Sequence, residues 1–194
     1  VGRLVGLLAL QGAFAAHELA FAELGVDTRQ VRTVEDLVGL DALVIPGGES
    51  TTISMLLESS GLFDPVAKFI DEGHAIFGTC AGMILLATTV HDARPDQRSF
   101  GAIEIDVRRN AYGRQVDSFE ADIEVTELQT PFHAVFIRAP QVVHASDSVE
   151  VLARHEDDIV LARQGAIMVA SFHPELTADT RIHEIFVNKL MRSN

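Results

Sequence analysis

Through the first half of the chain, short apolar runs rich in Val, Ile and Leu alternate with stretches of helical period. No other feature constrains the fold as tightly. Strands with no polar face must be covered on both sides, and helices that connect them in parallel supply that cover. Leu4–Leu10 reads as a buried strand. The helix after it carries a stripe of Phe14, Leu19, Phe21, Ala22 and Leu24 and is closed by Gly25. Strands are expected near Thr28–Val31, at Ala42–Ile45 and at His74–Phe77. Helices are expected from Ser50–Thr52 to Gly61, over Phe63–Glu72 and over Met83–Thr89. From Phe100 to Phe172 the period falls to two, giving strands at Ile103–Val107, Ala121–Val125, Ala134–Ile137, Val149–Ala153, Ile159–Ala162 and Ile167–Phe172, before a last helix over Ala178–Met191. The fold expected is α/β, a mostly parallel central sheet with helices on both faces, within a single domain spanning residues 1–194.

Charge and composition remove several functions. Fifteen basic and 28 acidic residues leave a net charge of -13, scattered along the chain, and such a field repels phosphate backbones. Nucleic acid is therefore not an expected partner. The longest apolar stretches, Leu4–Leu10 and Ile84–Val90, fall far short of the ~20 residues a membrane span needs. The opening Val1-Gly2-Arg3-Leu4 lacks the pattern of a secretory leader, so a cytoplasmic protein is expected. A single cysteine cannot make an internal disulfide or a thiolate metal site. His17, His74, His91, His133, His144, His155 and His183 show no ligand spacing and are read as surface or hydrogen-bonded polar residues, with no metal and no cofactor expected.

That one cysteine sits in Gly78-Thr79-Cys80-Ala81-Gly82, between an apolar strand and an apolar helix. A tight strand-to-helix bend with small flanking residues projects its middle side chain into a cleft at the sheet's carboxyl edge. The partial positive charge of a helix N-terminus favours a thiolate there. The alternative for Cys80 is a small buried hydrophobe in a glycine-containing turn. A thiolate nucleophile needs a base and a group to hold the base, and Phe172-His173-Pro174-Glu175 follows another apolar strand. Pro174 fixes the backbone so that His173 and Glu175 can project together, the carboxylate orienting the imidazole; alone, the same tripeptide is an ordinary solvated turn. Pro46-Gly47-Gly48-Glu49-Ser50-Thr51-Thr52 opens a helix after a third strand. Paired glycines let backbone N–H groups converge on developing negative charge, Ser50 or Thr51 can cap the helix, and Glu49 can meet a substrate ammonium. A capped tight turn is the plain alternative, and without a following Gly-Lys-Ser/Thr a phosphate-binding loop is unsupported.

Taken in order, Pro46-Gly47-Gly48-Glu49-Ser50, Phe77-Gly78-Thr79-Cys80-Ala81-Gly82 and His173-Pro174-Glu175 resemble the class I (triad) glutamine amidotransferases, whose fold is a flavodoxin-like three-layer sandwich. More narrowly, Leu8-Ala9-Leu10-Gln11-Gly12, Gly48-Glu49-Ser50-Thr51-Thr52, the block from Arg109 to Glu120, Phe136-Ile137-Arg138-Ala139-Pro140 and Ser171 to Thr177 resemble the glutaminase subunits of pyridoxal 5′-phosphate synthase. The resemblance implies that Cys80 attacks the side-chain amide of L-glutamine and forms a glutamyl thioester, with His173 moving protons. It assigns glutamine contacts to Gly48, Glu49, Ser50, Arg109, Ile137 and Arg138, and oxyanion donors to the backbone at Gly48 and Ala81. It further implies a (β/α)8-barrel synthase subunit as partner in a large hetero-oligomer, which receives the ammonia and switches the glutaminase on. Pyridoxal phosphate is then the product of the complex and not a prosthetic group of this chain. Gln11, just after the first strand, is expected to couple docking to the geometry of the glycine turn.

Three other readings stay open at this level. A cysteine hydrolase of an ester, lactone or γ-glutamyl bond accounts for Cys80 and His173 but not for Glu49 beside two glycines. A non-catalytic docking subunit would be expected to lack the nucleophile or the base. A glutaminase serving a different biosynthetic complex leaves the block from Arg109 to Glu120 unexplained.

Overall fold

The computed structural model describes residues 3–109 and 118–191. The first half supplies strands β1 (Leu4–Leu8), β2 (Asp27–Val31), β3 (Ala42–Ile45) and β4 (Ala75–Thr79) with helices α1 (Phe14–Glu23), α2 (Ser50–Ser59), α3 (Phe63–Asp71) and α4 (Ala81–Leu86). The second half supplies β5 (Ala87–His91), β6 (Ile103–Arg108), β7 (Ser118–Ile123), β8 (Phe132–Ile137), β9 (Gln141–Ala145), β10 (Glu150–His155), β11 (Asp158–Gln164) and β12 (Ile167–Ala170), then helix α5 (Arg181–Ile185) continuing into a π-helical turn, Phe186–Leu190.

Among the described residues the central sheet runs β10-β11-β12-β4-β3-β1-β2. From β12 to β2 every pairing is parallel, while β10 and β11 add an antiparallel edge. Period-two alternation on doubly covered strands divides the core in two. Leu43 and Ile45 of β3, Ile76 of β4 and Val169 of β12 face a cluster with Ile53 and Leu57 of α2, Val66 of α3 and Met83 of α4. Ala42 and Val44, Ala75 and Phe77, and Met168 and Ala170 face the opposite cluster with Phe21 of α1 and Ile182 of α5. Two small sheets complete the covers, β5-β6-β9 over the first face and the β7-β8 hairpin over the second. Helices therefore lie on both faces of a mostly parallel sheet, the α/β arrangement expected.

Four local expectations need correction. The buried face of α1 is His17, Ala20 and Phe21, whereas Leu19, assigned to the core stripe, is 70% exposed. The helix expected over Met83–Thr89 occupies Ala81–Leu86 instead, and the chain turns at Ala87 into β5, where the β-branched Thr89 and Val90 pair in parallel with β6. Gln141–Ala145, which is not among the strands expected, is β9, antiparallel to β6. The last helix starts at Arg181, three residues later than expected, because Pro174–Leu176 forms its own 3-10 turn and Asp179 binds Arg181 ahead of the first helical turn.

Close approach, and not unusual φ, explains both glycines around Cys80. A Cβ on Gly82 would stand 2.0 Å from the carbonyl oxygen of Ile45, and one on Gly78 would stand 2.7 Å from the backbone of Gly82. The strand-to-helix bend is thus pressed against the end of β3. Gly82→Ala is expected to destabilise the chain by about 1–3 kcal/mol or more through overpacking against backbone that cannot yield. Chemical denaturation of variant and parent checks this; equal stability would mean that α4 can slide away from β3.

Candidate active site

Strands β12, β4, β3 and β1 are adjacent and parallel, so the segments leaving their carboxyl ends meet at one edge of the sheet. These segments carry His173, Cys80, Gly47-Gly48-Glu49 and Gln11 respectively. They enclose a cleft of about 450 Å³ lined by Gln11, Gly48, Glu49, Ser50, Cys80, Ile84, Arg109, Ile137, Arg138 and His173. Of the residues singled out from sequence, Ala81 and Glu175 stand behind this wall: Ala81 as the first residue of α4 and Glu175 behind the imidazole, with its side chain fully buried.

Cys80 has φ 51° and ψ -103°, a conformation that costs a non-glycine residue about 1–3 kcal/mol and that surrounding structure must enforce. The constraints are visible on both sides. The Cys80 N–H donates to Ala170 O at 2.8 Å, its carbonyl accepts from Ile84 N at 3.3 Å, and the two flanking glycines are wedged as described. The thiol lies 3.7 Å from the carbonyl oxygen of Ile137, at the cleft wall made by β8. Helix α4 begins one residue later, so its unpaired amides, Ala81 first, open beside the sulfur.

His173 is fixed by its backbone N–H, which donates to Val135 O at 2.8 Å, and by the 3-10 turn that Pro174 starts. That turn brings Glu175 Oε1 to 2.7 Å from His173 Nδ1. Nδ1–H donates to the carboxylate, which leaves Nε2 for the cleft. On the opposite side the ring rests on Gly47, where a Cβ would stand 2.3 Å from His173 Cε1. Burial opposes charge on His173, yet hydrogen bonding to Cys80 and to Glu175, reinforced by electrostatic attraction, raises its pKa to about 10. These contacts favour the protonated imidazole beside the sulfur, an arrangement able to protonate a departing amine.

The glycine turn is held in place by Gln11 and Gly12. Gln11 Oε1 accepts the Glu49 N–H at 3.1 Å and sits where a Cβ on Gly48 would be, and Gly12, at φ 104°, presses on Gly47 O, which accepts from Ala13 N. Glu49, and not Ser50 or Thr51, caps α2: its carboxylate accepts from Thr51 N at 3.1 Å and Thr52 N at 2.7 Å. The longer side chain reaches both amides at once, and also takes the Thr52 hydroxyl and Arg109 Nη2, at 3.0 Å. Desolvation works against this carboxylate, but the Thr52, Thr51 and Arg109 contacts prevail and hold its pKa below the ordinary value. Arg109 is oriented a second time by Gln97 Oε1 at 2.9 Å, and Gln97 also reaches Ser50 and Thr51. Arg138 reaches the cleft from a residue at φ 45° just after β8. Of the block that carried the narrower resemblance, residues 110–117, Arg114 included, lie outside the described residues.

Sequence reasoning missed five residues here. Ile84 lies one helical turn from Cys80 and could have been found by that spacing. Gln97 reaches Arg109, Ser50 and Thr51 from an irregular loop and carries no local signal. Thr79, His17 and His183 form a buried layer behind Glu175, with His17 Nδ1 2.9 Å from His183 Nε2 and His17 Nε2 3.2 Å from Thr79 Oγ1. Both histidines are fully buried and hydrogen-bonded, so of the two readings given them the hydrogen-bonded polar residue holds and the surface residue does not. Among the described residues no group of three or more His, Cys, Asp or Glu is arranged to hold a metal ion, and no helix is long and apolar enough to cross a membrane.

The mostly parallel sheet with helices on both faces is the fold of the class I glutamine amidotransferases. The chain belongs to the SNO glutamine amidotransferase family, whose profile matches residues 7–192. It is similar to the proteins named pyridoxal 5′-phosphate synthase subunit PdxT from Pelotomaculum thermopropionicum, 53% identical over 97% of this chain and 96% of the relative, and from Mycolicibacterium smegmatis, 52% identical over 96% and 98%. A crystal structure described as a glutamine amidotransferase superposes with a TM-score of 0.91 at 51% identity, covering 97% of this chain and 98% of the other. A chain of the PurLQS structure from Thermotoga maritima shares the fold at 14% identity, with a TM-score of 0.71 over 97% and 99% of the two chains.

Proposed function

We infer that this chain is the glutaminase subunit of pyridoxal 5′-phosphate synthase. It hydrolyses L-glutamine to glutamate and ammonia and passes the ammonia to the synthase subunit. Identity of about half over nearly the full length of proteins named as that subunit supports the assignment. The observation that carries the chemistry is the convergence of Cys80, His173 and Glu175 from two neighbouring strand ends, with Nδ1 and Oε1 2.7 Å apart.

The reaction follows from that convergence. The Cys80 sulfur attacks the side-chain carbonyl carbon of glutamine, and the oxyanion that forms is met by backbone N–H groups at Gly48 and Ala81. The C–N bond breaks as His173 gives its proton to the nitrogen, and ammonia leaves behind a glutamyl thioester. Neutral His173 then takes a proton from water, the hydroxide attacks the thioester, and the C–S bond breaks to release glutamate and restore the thiolate–imidazolium pair. Glu49, Ser50, Ile137 and Arg138 hold the amino acid end of the substrate, with Arg109 directed by Glu49 and Gln97 toward its carboxylate. The partner is a (β/α)8-barrel synthase subunit within a large hetero-oligomer, in the cytoplasm, and the single domain of residues 1–194 acts as its ammonia source.

Ammonia release from glutamine, measured with and without purified synthase subunit, tests this directly. Strong release only in the presence of the synthase is expected. Hydrolysis of simple esters unaffected by the synthase, with no ammonia from glutamine, would replace the assignment by a hydrolase of another class.

Gln11 belongs to the same account. Its hold on the Glu49 amide and its packing on Gly48 make it the link between the segment after β1 and the glycine turn after β3. Gln11→Ala is expected to lower synthase-stimulated turnover about tenfold, the value of one hydrogen bond that orders a reacting geometry. Stimulated turnover equal to that of the parent would remove Gln11 from the coupling.

A further inference from the structure

We propose that His17 is a positioning residue for the triad: as a neutral imidazole with its proton on Nε2, it faces the second oxygen of Glu175 and holds that carboxylate in register with His173. The inference deepens the glutaminase reading and rests on it for the identity of the triad.

The observations come from four separate elements. Glu175 Oε1 is engaged by His173, but Oε2 is buried and has no hydrogen-bond partner among the described residues. The polar atom facing it is His17 Nε2, 3.5 Å away, on a side chain wholly excluded from solvent. The same nitrogen lies 3.2 Å from Thr79 Oγ1, and the other ring nitrogen lies 2.9 Å from Nε2 of His183, which is also fully buried.

Proton bookkeeping admits one good arrangement. A contact of 2.9 Å between two ring nitrogens holds one proton. If His17 kept it on Nδ1, its Nε2 could accept the Thr79 hydroxyl but would offer only a lone pair to the Glu175 carboxylate oxygen. His183, as acceptor, would then carry its own proton on Nδ1, a buried atom without a hydrogen-bond partner. A buried N–H without an acceptor is the costly defect. With the proton of His17 on Nε2, that N–H is shared between the Thr79 hydroxyl and the Glu175 carboxylate. His183 Nε2–H donates to His17 Nδ1, and only a lone pair on His183 Nδ1 is left over. Both histidines are then neutral. Burial, together with the neighbouring His183 and His173, keeps the pKa of His17 well below 6.5, and burial brings that of His183 to about 4.

Neutrality matters to the role. A cation behind Glu175 would compete with His173 for the carboxylate's charge, whereas a neutral donor steadies the carboxylate and leaves its charge directed at His173. The rings of Phe21, Phe77 and Phe186 close the compartment, and the titratable groups facing it are Glu175, His173 and His183.

His17→Leu and His17→Gln separate this role from simple packing. Glutamine can present an N–H to Glu175 and a carbonyl to His183; leucine presents neither. With the synthase subunit present, His17→Leu is expected to lower kcat on the order of 10–100-fold, the loss of one hydrogen bond to a buried charge, with KM within about twofold of the parent. His17→Gln is expected to recover most of the loss. On the isolated chain, where Cys80 is the one thiol, His17→Leu should slow iodoacetamide alkylation at neutral pH and His17→Gln should restore it. NMR of the histidine ring nitrogens in the unsubstituted chain should show His17 neutral and protonated on Nε2, which needs no variant to fold. A proton on Nδ1 of His17 would overturn the proposal, as would unchanged kcat and alkylation in His17→Leu, or equal losses in both variants. If the parent chain releases no ammonia, the glutaminase assignment fails, while NMR and alkylation still decide the role of His17.

Discussion

Alanine in place of Cys80 is expected to abolish ammonia release from glutamine, a loss on the order of a million-fold, with the melting temperature staying within a few degrees of the parent's. The size of the effect follows from the composition of the chain: no second cysteine exists to substitute for the nucleophile. Its selectivity follows from packing. Alanine keeps the Cβ, the φ of 51° and the hydrogen bonds of the backbone, and gives up only a weak 3.7 Å contact from sulfur to Ile137 O. Turnover with the synthase subunit present, beside a thermal melt, checks both halves. Residual turnover near the parent's would assign the chemistry to another group.

Glu175→Gln is expected to lower kcat by about 10³–10⁴-fold with little change in KM. Glutamine can still accept a hydrogen bond from His173 Nδ1, so orientation survives in part, but the negative charge is gone. Burial pulls the pKa of His173 down and the bonds and charges of Cys80 and Glu175 lift it to about 10, so deleting one of the two carboxylate contributions moves it back toward 6.5. The imidazolium needed to protonate the leaving ammonia is then scarcer at neutral pH, and the loss should deepen as pH rises. Steady-state rates between mildly acidic and alkaline pH test this. A uniform loss at every pH would mean that Glu175 supplies position alone.

Both expectations concern residues that were readable in the sequence, because each stands at the end of an apolar strand in a short motif whose residue types have few other uses. The strands were readable for a related reason. A run such as Ala42–Ile45, buried on both faces, has no polar register to hide in, and its alternation between two core clusters follows from the pleat. Where the chain is covered on one side only, or where a polar residue occupies a core position, the signal weakens. The true buried register of α1 runs through His17, Ala20 and Phe21, at the spacing of a helical stripe, but a histidine at its head made the more apolar alternative through Leu19 look better. The end of α4 was misplaced for a different reason: Met83–Ala87 is apolar without a break, and pairing with β6, far along the chain, decides that Ala87 begins a strand.

The layer behind the triad shows the same limit at the level of function. His17 and His183 are separated by 166 positions and meet because α1 and α5 pack on the same face of the sheet. No local spacing announces that contact. Gln97 reaches Arg109, Ser50 and Thr51 from an irregular loop in the same way. Motifs with a fixed chemistry locate the reacting atoms, and tertiary packing decides what holds them there.

Acid quenching of the chain during turnover with glutamine and the synthase subunit, followed by mass spectrometry of the peptide that contains Cys80, tests the account most directly. A glutamyl group on the Cys80 sulfur, lost on incubation at neutral pH and absent from Cys80→Ala, is the expected result. Ammonia released at the full rate with no adduct on that peptide at any quench time would contradict it.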